Sequence, residues 1–165
     1  MIILGIDPGL ARVGYGLINK QGKNIKIIDS GLITTPASLS ISERLILINR
    51  GLKKILKKHK PDFVAIEKLF FFKNAKTALS VGQAWGVISF TVKTAGCSII
   101  ELTPLQIKQS VTGYGQATKS QVEKMLKLIV GIKSLPKSDD TVDALACAFC
   151  AFHYIKPLIK DGFNN

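Results

Sequence analysis

The 165 residues, 47% hydrophobic, suffice for one domain with a single core, and 23 Lys and Arg against 11 Asp and Glu leave a formal charge of +12. Such a field favours a polyanion or an anionic membrane, nucleic acid being the better reading. No apolar run reaches the roughly 18 residues of a spanning helix and Met1-Ile-Ile-Leu4 lacks a basic leader, so the expected setting is cytoplasmic, with no membrane partner and, at three cysteines, no disulfide framework.

The chain opens on Ile2-Ile-Leu-Gly-Ile-Asp7, an apolar and largely β-branched run with no helical period, stopped by one carboxylate before Pro8-Gly9. That pattern predicts a buried strand, with Asp7 at its exit. An unpaired carboxylate there would cost several kcal/mol, roughly, so it should face water, a cation or a donor. The plain alternative is an Asx turn with Pro8. Val13-Gly-Tyr-Gly-Leu-Ile18 should return antiparallel to it, its glycines leaving room for something to approach the backbone. Ile25 to Ile33 reads as a third strand, and Pro36 breaks the loop after it.

Ser40 with Glu43 forms a capping box, and Ile41, Leu45, Ile48, Leu52 and Ile55 then repeat at helical spacing as far as Pro61. Lys53, Lys54, Lys57, Lys58 and Lys60 crowd the end of this helix, where they suit its dipole and read as a solvated face. Asp62-Phe-Val-Ala-Ile-Glu67 repeats the design of the first strand. A strand following a helix tends to lie parallel to an earlier one through a right-handed crossover. If that neighbour is the first strand, Asp7 and Glu67 come side by side at the carboxyl end of the sheet, the usual place for a site.

Phe70, Phe71 and Phe72 precede Lys73. Alternate residues of an extended chain point opposite ways, so one core face cannot take all three rings. They are either a hydrophobic lid or a platform for unstacked bases. Ala75 to Ala95 should be a long helix closed by Gly96, with small residues (Ala78, Gly82, Ala84, Gly86) that admit a close neighbour, either the sheet's cover or a symmetric partner. Trp85 within it suits core or interface equally.

Ser98 to Leu102 reads as a fifth strand, and Thr103-Pro104 as the start of a short helix. Lys108 and Lys119 flank a glycine loop, Thr112 to Thr118, which lacks the spacing of a P-loop. Ser120 with Glu123 is expected to cap the next helix, and Asp139 the last. In that last helix Asp140 and Asp143 share a stripe with Cys147, Cys150 and Tyr154, so both acids should face the body of the protein. The alternative for either acid alone is a favourable contact with the helix dipole. Cys147 and Cys150 make a C-x-x-C inside an apolar helical pattern and read as core packing rather than zinc or redox chemistry.

Asp7, Glu67, Asp140 and Asp143 would repel one another without a cation. All-oxygen ligation favours a hard ion such as Mg²⁺ or Mn²⁺, and two such ions about 4 Å apart suit in-line attack of water on a phosphodiester.

Gly5-Ile-Asp-Pro-Gly9, Ile66-Glu67 with Phe70, Gly82-Gln-Ala84, Lys119-Ser120 and Asp140-x-x-Asp143-Ala-Leu-Ala146, in that order, resemble the RuvC family of Holliday-junction resolvases. The resemblance runs from Met1 to about Tyr154. It implies an α/β, ribonuclease H-like fold, with a five-stranded mixed sheet in order 3-2-1-4-5 flanked by helices. It also implies a homodimer acting on four-way DNA junctions, and association with the RuvA-RuvB branch-migration complex. By motif position Asp7, Glu67, Asp140 and Asp143 match the family's metal-binding acids, holding Mg²⁺ (with Mn²⁺ able to substitute), two ions per site. Lys108 and Lys119 match its basic active-site residues, and Phe70, with Phe71 as a weaker candidate and Lys73 beside them, its DNA contacts. Asp139 doubles the expected acid, and the spacing to Asp143 favours Asp140. The nuclease domain is expected over residues 1–156, and residues 157–165 as a flexible tail. The rivals are another nuclease of this fold acting on RNA-DNA hybrids and a noncatalytic junction-binding module. An actin-like ATPase would need a second large lobe that the chain lacks.

Overall fold

The computed structural model describes residues 1–22, 24–69 and 75–160, and the side chains of these except 75–77 and 156–160. Five strands, β1 (Ile2–Asp7), β2 (Arg12–Gln21), β3 (Asn24–Thr34), β4 (Phe63–Glu67) and β5 (Ser98–Leu102), form one sheet in the order β3-β2-β1-β4-β5. β1, β2 and β3 are an antiparallel meander, while β4 lies parallel to β1 and β5 parallel to β4. This is the expected mixed sheet. Helices α1 (Ile41–His59) and α2 (Ala75–Thr94) cover one face, and α3 (Pro104–Thr112), α4 (Lys119–Val130) and α5 (Asp139–Lys160) the other.

Strand alternation decides which side chain enters which layer. Leu4, Ile6, Val64 and Ile66 pack with Ile48, Leu52, Ile88 and Val92 of α1 and α2. Ile3 and Ala65 pack with Val111, Leu126, Leu145 and Cys147 on the opposite side. Asp7 and Glu67, continuing the phase of Ile3 and Ala65, therefore point to the face that carries α5. Burying the apolar side chains of these two layers contributes roughly 1.5–3 kcal/mol each.

α5 reaches the sheet because glycines clear its path. Gly5 and Gly16 are cross-strand partners. A Cβ on Gly5 would run into the Ala144 carbonyl and the Ala148 amide, one on Gly16 into Leu145, and one on Gly14 into the backbone of Asp140. What approaches the backbone here is thus the last helix. Thr141 Oγ1 donates to the Gly31 carbonyl at 3.2 Å and fixes the start of α5 against β3. Cys147 and Cys150 are fully buried in this layer, and burial pushes both thiols up, Cys150 to about 11. Core packing is their role. Tyr154, the last residue of the inward stripe, is exposed, because a seven-residue repeat drifts around a 3.6-residue helix.

The α1 capping box is as expected, Ser40 Oγ accepting from the Glu43 amide and the Glu43 carboxylate from the Ser40 amide. The α4 box is not Ser120 with Glu123 but Thr118 with Gln121, two residues earlier, which makes Lys119 the first helical residue. Asp139 is not the cap of α5. The Ser138 carbonyl accepts from Val142, so Asp139 already lies in the first turn. α5 continues past Pro157 to Lys160, although the proline forfeits one helical hydrogen bond. Trp85 is half-buried beside the α1–α2 core. Among the described residues no helix is long and apolar enough to cross a membrane.

Candidate active site

The parallel register pairs Ile6 with Ile66, which puts Asp7 and Glu67 abreast at the carboxyl ends of β1 and β4. The first turn of α5, pressed onto Gly14, brings Asp140 and Asp143 to the same place. Lys119, at the start of α4, closes the group from the side. Its Nζ lies 3.1 Å from Asp143 Oδ2 and 3.7 Å from Asp139 Oδ2. Lys108 of α3 lines a cleft of about 160 Å³ with Glu67, Lys119, Asp143, Pro104 and Ile107. Four acids and two lysines named from the sequence are therefore neighbours, although they come from five different elements.

Electrostatics follow from burial and crowding. Burial first, and then the charges of Glu67, Asp143 and Asp140, push the Asp7 carboxyl up to about 8, with Lys119 opposing. Burial and Asp143 push Glu67 up to about 7 against Lys119 and Lys108. For Lys119 burial disfavours the charge, but the hydrogen bond and charge of Asp143, with Asp139 and Asp7, outweigh it and raise the pKa. Burial and crowding thus favour the protonated form of Asp7 in the free protein. A cation among these oxygens would reverse that, because it stabilises the ionised forms that burial and mutual repulsion disfavour.

The doubled acid at the start of α5 is resolved by orientation. The Asp139 side chain is 68% exposed, whereas that of Asp140 is 25% exposed and pairs with Arg12 Nε at 2.9 Å. It is Asp140, not Asp139, whose charge acts on Asp7. Arg12 is the residue at this site that the sequence reading passed over. An arginine beside a turn in a chain carrying 23 Lys and Arg has no signal of its own, and its partner lies at the other end of the sequence.

As the side chains stand, no three His, Cys, Asp or Glu among the described residues are close enough to hold a metal ion. Asp140 is held by Arg12 and Asp143 by Lys119. The donor set nevertheless fits a hard divalent ion: two crowded carboxylates with raised pKa and two more within the same electrostatic neighbourhood, oxygen throughout. Phe70, Phe71 and Lys73 lie outside the described residues.

The sequence model of the family described as "Crossover junction endodeoxyribonuclease RuvC" matches residues 3–151. The chain belongs to the RuvC family. It is 52% identical over 150 residues to the Halothermothrix orenii protein called crossover junction endodeoxyribonuclease RuvC, covering 91% of both chains. It is 52% identical over 153 residues to the Alkaliphilus oremlandii protein of the same name, covering 93% of both. Among solved structures, Thermus thermophilus RuvC in complex with a Holliday junction substrate superimposes with a TM-score of 0.89 at 30% identity, covering 95% of this chain and 96% of that one. The RuvC family's fold and the mixed sheet observed here agree, and the acidic pocket lies within the matched span.

Proposed function

We propose that this RuvC-family chain is a structure-selective endonuclease that resolves four-way DNA junctions in recombination and repair. In this reading it hydrolyses phosphodiesters in two opposed strands. The observation that carries the proposal is the convergence of Asp7, Glu67, Asp140 and Asp143 at one end of the sheet of a strongly basic chain. The activity named for the relatives and the solved T. thermophilus complex with a junction support the substrate.

In this proposal the four carboxylates hold two divalent ions, Mg²⁺ with Mn²⁺ as a substitute. Bound there, such ions would supply a nucleophilic hydroxide and charge neutralisation at the phosphate. The chain's own part is to bind and orient. Asp7 and Glu67 would hold the ions in their ionised forms, and rigid strand ends fix their positions. Lys119, freed from Asp143, and Lys108 across the cleft present positive charge where the leaving oxygen develops charge. Phe70, and more weakly Phe71, would stack on unpaired bases at the crossover beside Lys73. The +12 charge draws the junction in without reading its sequence.

A homodimer would present two such sites to the two like strands of a nearly two-fold junction. On α2, Leu79, Gly86 and Phe90, with half-buried Gly82 between them, form a stripe at helical spacing, Leu79 being 76% and Phe90 66% exposed, and this face suits a second copy. A cytoplasmic setting and cooperation with a RuvA-RuvB branch-migration complex belong to the same proposal by family membership. Incubating purified protein with a labelled junction, a linear duplex and an RNA-DNA hybrid, with and without Mg²⁺, tests it. Paired, ligatable nicks in the junction alone, only with metal, are expected; preferential cutting of the hybrid would replace this reading with a hybrid nuclease.

A further inference from the structure

The ion pair between Arg12 and Asp140 has no place in the scheme above. Arg12 is the first residue of β2, directly after the turn that follows Asp7, and Asp140 is in the first turn of α5. The guanidinium engages Asp140 Oδ2 through Nε at 2.9 Å while the arginine side chain stays 60% exposed. No other ion pair of Arg12 occurs among the described residues. One edge of a planar fork with five donors therefore holds a carboxylate of the acid cluster, and the rest faces solvent on the rim.

Resting on the reading of Asp140 as a metal ligand, we infer that Arg12 is a positioning residue that holds Asp140 away from the ion site in the free protein. When Asp140 turns to an ion, the guanidinium takes a phosphate of the strand to be cut in its place. Three observations lead there. Asp140 is one of the acids that crowd Asp7, yet as the side chains stand no three acids share an ion site. Among the described residues its carboxylate pairs with Arg12. Guanidinium matches a phosphate as well as it matches a carboxylate, so the exchange conserves its hydrogen bonding. An ion that draws Asp140 Oδ2 inward competes with Arg12 for that oxygen, and a phosphate that captures Arg12 makes the ion easier to bind. The two ligands then favour each other, as linkage requires. Lys119 holds Asp143 in a similar way, whereas Arg12 pairs with the carboxylate of Asp140 from the β2 side.

The test uses the whole protein, without DNA, titrated with Mn²⁺ and followed by electron paramagnetic resonance of the free ion. Exposed ion pairs are worth up to about 1 kcal/mol, so Arg12→Ala should bind Mn²⁺ more tightly, by up to about five-fold. Arg12→Lys, which keeps the charge and a donor, should stay near wild type. Lys108→Ala removes a nearby charge without breaking a contact to Asp140, and its gain should be smaller than that of Arg12→Ala. Equal gains, or no gain in Arg12→Ala, overturn the positioning role. Failure of the wild-type protein to bind Mn²⁺ at all overturns the metal reading beneath it. A second arm measures junction binding in EDTA. With Asp140→Asn the guanidinium is free, so adding Arg12→Ala should cost about two- to five-fold more affinity there than in the wild-type background. Equal losses in the two backgrounds overturn the hand-over to phosphate. Melting curves of all variants, at an arginine this exposed, should coincide within a few degrees.

Discussion

Gly14 lies directly beneath the backbone of Asp140, so closely that even a methyl group on it would collide with that residue's carbonyl. Gly14 is also the β2 partner of Asp7. One glycine thus sets the spacing between the acid at the end of the sheet and the acids on the helix laid over it. Gly14→Ala should push the first turn of α5 outward and cost about 1–3 kcal/mol through overpacking. Cleavage should fall far more than a stability loss of that size explains, because misplacing a reacting group by about 1 Å can cost 100-fold. Melting temperature and single-turnover cleavage of the same preparation check this; full cleavage with lowered melting would mean that α5 tolerates the shift.

Asp7 makes the site a liability to the empty fold. Its carboxyl is raised from 3.8 to about 8 in the folded chain. Between those values the folded state binds a proton that the unfolded state has lost, so stability falls as pH rises through the window, and the penalty is complete above it. Asp7→Asn removes that penalty. In EDTA the variant should match the wild type near pH 4 and exceed it by an amount that grows up to pH 8, on the order of a few kcal/mol. Glu67→Gln should behave likewise over a narrower range, since Glu67 is raised only to about 7. Both variants should lose cleavage while retaining junction binding. Urea midpoints across the pH range decide it, and parallel wild-type and variant curves would contradict the crowded-acid picture.

Much of this site was legible because its signals were local. An apolar run stopped by a carboxylate marked Asp7 and Glu67, and three-residue spacing on an otherwise apolar stripe marked Asp140 and Asp143. Gly5, Gly14 and Gly16 signalled a close approach without saying by what, because the approaching α5 lies at the other end of the chain. The start of α4 was missed by two residues, since Thr118-x-x-Gln121 and Ser120-x-x-Glu123 are equally good boxes in sequence and only the backbone path chooses between them. Arg12 was invisible for a different reason. Its meaning lies wholly in its contact with Asp140, and no periodicity encodes a contact between an exposed charge and a distant helix.

Lys119 and Lys57 separate catalysis from mere attraction. Lys119 touches Asp143, whereas Lys57 sits in the last turn of α1, at the opposite end of the sheet from Asp7. Preorganised charge at a developing oxyanion is worth about 3 kcal/mol, so Lys119→Ala should lower the single-turnover rate roughly 100-fold with junction saturating. Lys57→Ala should leave that rate unchanged. Equal, small effects of the two would remove Lys119 from the chemistry.

The α2 stripe offers a test of the proposed dimer in which the two outcomes have opposite signs. A Cβ built on Gly86 meets nothing within 4 Å among the described residues, and Gly86 lies in the interior of a 20-residue helix. In an isolated chain, Gly86→Leu should therefore stabilise the protein, because glycine costs about 0.8–1 kcal/mol of helix propensity relative to alanine and leucine ranks close to alanine. Against a second copy the added side chain would force the helices apart, and Phe90→Glu would place a charge in the same contact. Sedimentation of wild type, Gly86→Leu and Phe90→Glu over a concentration series reads the assembly, while nicking of a doubly labelled junction reads its consequence. The expected result is that both variants sediment as monomers and cut one strand at a time, with the two nicks no longer paired in a single encounter. A wild type that is monomeric at every concentration, with Gly86→Leu melting higher and cutting normally, would show that α2 presents this stripe to solvent and that the two strands are cut by some other arrangement.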